Sequence, residues 1–80
     1  MPEDQRRQQI EEISARLSKA DAALNQILTQ PLTDQKKRDA AKIRNLANQA
    51  YKAKDEGDIQ KANGLADRIQ LMIQDLSRGR

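Results

Sequence analysis

Gly57-Asp58 sets the strongest constraint on what this chain can fold into. A helix stop and a helix start meet there with almost no spacer, between apolar residues that recur at helical spacing on both sides. Glycine takes up the left-handed backbone conformation that ends a helix without a Cβ penalty. The Asp58 side chain is placed to accept a hydrogen bond from a backbone N–H in the first turn of the helix that follows. The stretch AYKAKDEGDIQKA, from Ala50 to Ala62, therefore reads as the corner of an antiparallel helical hairpin.

The residues after the corner keep a regular seam. Ile59, Ala62, Ala66, Ile69, Ile73 and Leu76 follow a 3-4-3-4-3 spacing, flanked by Leu65 and Met72. This predicts a helix over about residues 59–77. Asn63-Gly64 is a pair that often forms turns, but the seam keeps its phase across it, so the helix is expected to run through. Arg78-Gly79-Arg80 reads as a frayed basic tail. Before the corner, Ala40, Ile43, Leu46, Ala47, Ala50, Tyr51 and Ala53 form a broad, alanine-rich arc, which suits a helix over about 34–56 that touches two neighbours. Tyr51 falls at the edge of the arc, where its ring packs and its hydroxyl reaches water.

A second break stands at Gln30-Pro31-Leu32-Thr33. Proline disfavours helix in the residue before it, and Thr33 is a suitable N-cap for the helix that begins at Asp34. Upstream, Ile10, Ile13, Leu17, Ala20, Leu24 and Ile27 repeat the 3-4-3-4-3 spacing, with Leu28 beside it. This predicts a first helix over about 2–29 with a narrow stripe of coiled-coil type. Pro2, Glu3 and Asp4 suit its first turn. Glu3/Arg7 and Glu12/Arg16 are placed for i,i+4 pairs. Few β-branched and aromatic residues argue against sheet, and abundant Ala, Gln, Lys, Arg, Glu and Leu favour helix. The expected fold is one all-α domain over residues 1–80. Either it is an up-down-up three-helix bundle, or it is a hairpin whose long N-terminal helix packs on another chain.

The segment from Leu46 to Met72 resembles one helical hairpin of a tetratricopeptide repeat, or the first hairpin of a microtubule-interacting-and-trafficking domain. The Ala50-Tyr51 pair, the corner Gly57-Asp58-Ile59-Gln60-Lys61-Ala62 and Leu65 carry the likeness. It spans about a third of the chain. No second repeat of about 34 residues is present, and the first helix precedes the hairpin instead of extending it. The resemblance implies hairpin geometry alone, with no peptide groove and no binding residue.

Core material is scarce. Seven isoleucines, eight leucines, Tyr51 and Met72 are the large apolar residues after Met1, with no Phe or Trp. A chain of this size nets about 3–5 kcal/mol from one core and often adds assembly or a staple. No cysteine is present to form one. Self-association or a partner protein, as a homodimer or a hetero-complex, is therefore expected. No apolar run reaches membrane-spanning length, and no signal-peptide-like stretch follows the N-terminus, so no membrane role and a cytoplasmic location are expected.

The catalytic inventory is thin. Without His or Cys the commonest general base and the most reactive nucleophile are gone. Ser14, Ser18 and Ser77 have no evident activating base. Glu11-Glu12, Asp55-Glu56 and Asp58 read as solvated carboxylates, and the acidic corner lacks the ligand spacing of a calcium loop. No phosphate-binding glycine loop is present. No enzyme activity and no cofactor are expected.

Two surface features stand out. Lys36, Lys37 and Arg38, followed by Lys42 and Arg44, form a basic run near a helix N-terminus, where cations oppose the helix dipole. Lys37, Arg44 and Tyr51 share a face at i, i+7, i+14. The run is either a solvated face or a contact for nucleic-acid phosphates or other anions. Tyr51 is the single candidate for base stacking. The second feature is an outer stripe on the third helix, Gly64, Arg68 and Leu71 followed by Asp75, opposite the seam. It is either ordinary surface or a helix–helix contact. The leading expectation is a small non-catalytic interaction or assembly module acting through a helix face, as scaffold, adaptor or inhibitor by occlusion. The alternative is a nucleic-acid-associated protein using the basic run.

Overall fold

A computed structural model describes residues 3–78. Pro2, expected in the first helical turn, and Gly79 and Arg80 of the basic tail lie outside the described residues. Three helices follow one another: α1 (Glu3–Leu28), α2 (Asp34–Asp55) and α3 (Ile59–Ser77). The described residues contain no strand. The bounds fall within a residue or so of those the sequence predicts, because local signals set them.

At the corner, Gly57 has φ +81° and is the one described residue with positive φ. The Gly57 N–H donates to the Lys54 carbonyl at 3.0 Å and the Asp58 N–H to the Ala53 carbonyl at 2.8 Å. This is a Schellman closure, which satisfies the carbonyls left open by the end of α2. An Asp58 carboxylate oxygen then accepts from the Lys61 N–H at 3.2 Å and starts α3. Thr33 Oγ1 does the same for the Lys36 N–H at 3.2 Å and starts α2. Arg78 keeps helical geometry at the end of α3, its N–H donating to the Gln74 carbonyl at 3.2 Å.

Contacts between helices fix their directions. Along α1, Ser14, Asp21 and Asn25 meet Lys54, Tyr51 and Arg44 of α2 in reverse order, so these helices are antiparallel. Arg6 reaches the Gly57 carbonyl at 3.3 Å, and Arg16 reaches Asn63, Asp67 and Gln70 of α3. α1 and α3 thus run in the same direction, which makes the chain an up-down-up three-helix bundle. Its extents are 46 × 16 × 15 Å, and the long axis fits the 26 residues of α1 at about 1.5 Å each.

The three seams close on one another. Ile13, Leu17, Leu24 and Ile27 of α1 and Ala62, Ala66, Ile69 and Leu76 of α3 are buried. From α2 come Ala40, Ala47, Ala50 and Ala53 with one large side chain, Ile43. α2 and α3 form the most intimate pair, as their small side chains allow. α3 continues through Asn63-Gly64 without a break. The hairpin geometry implied by the Leu46–Met72 resemblance is present, with α1 laid along it.

Candidate functional site

Each helix places polar side chains where the bundle either uses them or leaves them free. Between α1 and α2 they are used. The half-buried Tyr51 hydroxyl donates to Asp21 Oδ2 at 3.0 Å. Burial, and then the bond to and charge of Asp21, hold the phenol above its ordinary pKa, with a partial offset from Ser18. Tyr51 therefore packs as expected, but its hydroxyl has a carboxylate for a partner. Lys54 Nζ donates to Ser14 Oγ at 3.2 Å and lies 5.2 Å from the Tyr51 ring centroid and 3.9 Å from Asp55. Ser14 thus has an amine neighbour that the sequence did not show. An aromatic face and a carboxylate thus flank the Lys54 side chain.

Between α1 and α3, Arg16 Nη2 pairs with Asp67 and donates to Gln70 Oε1 at 3.3 Å, while Nη1 donates to Asn63 Oδ1 at 3.4 Å. Arg16 therefore crosses to α3 in place of the expected pair with Glu12. The expected Glu3/Arg7 pair also does not form among the described residues. These are surface contacts, each worth about 0–1 kcal/mol.

The outer stripe lies as the spacing predicts. Gly64, Arg68 and Leu71 are exposed, Leu71 by 63 %. A Cβ built on Gly64 meets nothing within 4 Å, so the bundle's own packing does not require glycine there. Gly64→Ala is expected to stabilise the fold by about 0.8–1 kcal/mol through helix propensity, read by chemical denaturation. A loss of stability would show that the fold does need this glycine.

The basic run is dispersed. Lys36 is half-buried and turns toward the ends of α1 and α3, beside Gln26, Gln30 and Ser77. Lys37, Arg38 and Lys42 are exposed. Arg44 and Tyr51 meet in a hollow of about 280 Å³ between α1 and α2, with Asp21 and Asn25 on its other wall. Arg44 donates to Asn25 Oδ1 at 3.5 Å. Those two residues therefore face a carboxylate of the same chain, and Lys37, Arg38 and Lys42 do not line this hollow.

A groove between α1 and α3 was not legible in the sequence. It encloses about 440 Å³ over an apolar floor of Leu17, Ala20, Ala23, Ala66 and Ile73, with Arg16, Lys19, Gln70 and Gln74 at its edges. Ala23 and Ile73 also line a second hollow of about 280 Å³, which runs on to Pro31, Leu32 and Lys36. The one available signal was the small size of Ala20, Ala23 and Ala66 on helices that elsewhere present Leu and Ile.

Among the described residues, no group of three or more His, Cys, Asp or Glu side chains is placed to hold a metal ion. None of the described helices is long and apolar enough to cross a membrane. No protein-family model matches the chain, and neither a curated protein nor a solved structure does.

Proposed function

We propose that this chain is a non-catalytic helical interaction or assembly module that binds a second copy or a partner protein through a helix face, as scaffold, adaptor or inhibitor by occlusion. The observation that supports this best is the outer face of α3. Leu71 is a large apolar side chain left 63 % exposed. One helical repeat away, Gly64 costs the helix about 1 kcal/mol with no packing return inside the bundle. A neighbouring helix seated there would use both, Leu71 as its anchor and Gly64 as the point of close backbone approach. A cytoplasmic setting belongs to the same proposal; the cysteine-free sequence is compatible with it and does not select it.

Leu71→Glu is the direct test. Light scattering over a wide concentration range should show the native chain associating and the variant shifted to lower mass, with its helical circular dichroism retained. An unchanged mass distribution would remove this face from consideration. Gly64→Ala should weaken assembly while raising the stability of the single chain, a combination that a purely structural glycine would not give.

A second reading, binding to nucleic-acid phosphates, is supported by the exposure of Lys37, Arg38 and Lys42. Such binding must weaken steeply with salt, and no binding to duplex or single-stranded oligonucleotides at low salt eliminates it.

A further inference from the structure

We propose that the groove between α1 and α3 holds an acidic amphipathic helix of a partner protein. Seam positions are the starting point. Ala20 and Ile73 belong to the two 3-4-3-4-3 stripes, yet both remain half-buried, and both line this groove. Along this stretch the two seams do not fully cover one another. The floor is apolar and low, with alanine at 20, 23 and 66, so another helix backbone can approach closely. Its two hollows join at Ala23 and Ile73 and extend from Arg16 to Gln30 along α1. At 1.5 Å per residue that is roughly 20 Å, or about four turns of an incoming helix.

Charge selects the occupant. Lys19 stands on the edge of the first hollow and Lys36 on that of the second, and neither lining includes a carboxylate. Asp67 of α3 is already engaged by Arg16, which lines the first hollow. Amide side chains supply the rest of the rim as Gln70, Gln74, Gln26 and Gln30. An apolar stripe flanked by glutamates or aspartates matches this surface. A stripe flanked by lysines meets like charge at both ends, which acts as selection against it. Leu71 is not part of this lining, so the groove stands or falls separately from the outer stripe of α3.

The probe is a fluorescein-labelled synthetic peptide of roughly 18 residues, about five helical turns. It carries Leu and Ala at i, i+3, i+4, i+7 spacing and Glu at the flanking positions. A second peptide has Lys in place of every Glu. Fluorescence anisotropy should show the acidic peptide binding at least about tenfold more tightly than the basic one, a preference that salt reduces. Ala23→Gln fills the floor at a half-exposed helical position and should weaken binding by about tenfold or more, with thermal unfolding unchanged. Lys19→Glu should narrow the preference between the two peptides. Several results would overturn the proposal: no binding of either peptide at low salt, equal binding of both, or indifference to Ala23→Gln. A dimer of the chain alone that Ala23→Gln dissolves would place a second copy in the groove and reject the acidic partner. A duplex oligonucleotide whose binding is lost in Ala23→Gln would reject it as well. None of these outcomes depends on Leu71→Glu, so failure here is distinct from failure of the α3 face.

Discussion

Ile43→Ala is expected to lower the unfolding free energy by about 2–5 kcal/mol, the usual range for truncating a fully buried isoleucine. Ile43 is 1 % exposed and is the one large side chain that α2 buries, among Ala40, Ala47, Ala50 and Ala53. Its removal leaves α2 with an all-alanine buried face and opens a cavity in the core that the three helices share. Alanine neighbours have no rotamers with which to refill the space, so the cavity term adds to the lost transfer energy. A domain of this length has roughly 4–12 kcal/mol in total, and the variant should lose a large part of it. Urea unfolding followed by circular dichroism gives the number. Leu28→Ala, at a position 41 % exposed, serves as the comparison and should stay within about 0.5 kcal/mol. A cost below about 1 kcal/mol at position 43 would mean that the helices collapse into the gap, and that α2 is not held as described.

Ala62→Leu should cost about 1–3 kcal/mol for the opposite reason. Ala62 is fully buried, and the hairpin register about Gly57-Asp58 sets it beside Ala53. The two helices approach closely because both residues are small. A leucine at 62 must leave its preferred rotamer or push α2 and α3 apart, close to a corner whose hydrogen bonds resist opening. Helix propensity hardly changes between Ala and Leu, so the loss isolates packing. A neutral or stabilising result would reveal space at the corner that the packing does not show.

The features legible in the sequence were those with local causes. Gly57, Asp58 and Thr33 act through hydrogen bonds to residues within a few positions, and the seams obey a spacing that needs no knowledge of the neighbour. What could not be read depends on helix directions and on register between helices. Arg16 looked like the partner of Glu12 because the two are four residues apart. Once α1 lies along α3, Asp67, Asn63 and Gln70 are nearer and their oxygens converge on one guanidinium. Ser14 met Lys54, and Tyr51 met Asp21, in the same way. The groove is a further step removed. Spacing says which residues face inward, whereas the groove records which inward-facing residues the other two helices fail to cover. The basic run shows the limit from the other side. Adjacent letters in sequence diverge around a helix, so Lys36 turns into the bundle's end while its neighbours face outward.

The shared direction of α1 and α3 gives that basic run an electrostatic meaning. Two helices ending at one end of a bundle bring two negative dipole termini together, and the single reversed helix offsets only one of them. Neither α1 nor α3 has a basic residue in its last turn. Beside Arg78 at the cap of α3, counter-charge comes from α2, whose first turns begin at that same end and carry Lys36, Lys37 and Arg38. Lys36 reaches in beside Gln26, Gln30 and Ser77. Cations that oppose the dipole of their own helix thus complete the fields of the other two, and a cluster that looks misplaced along the chain balances charge across the bundle.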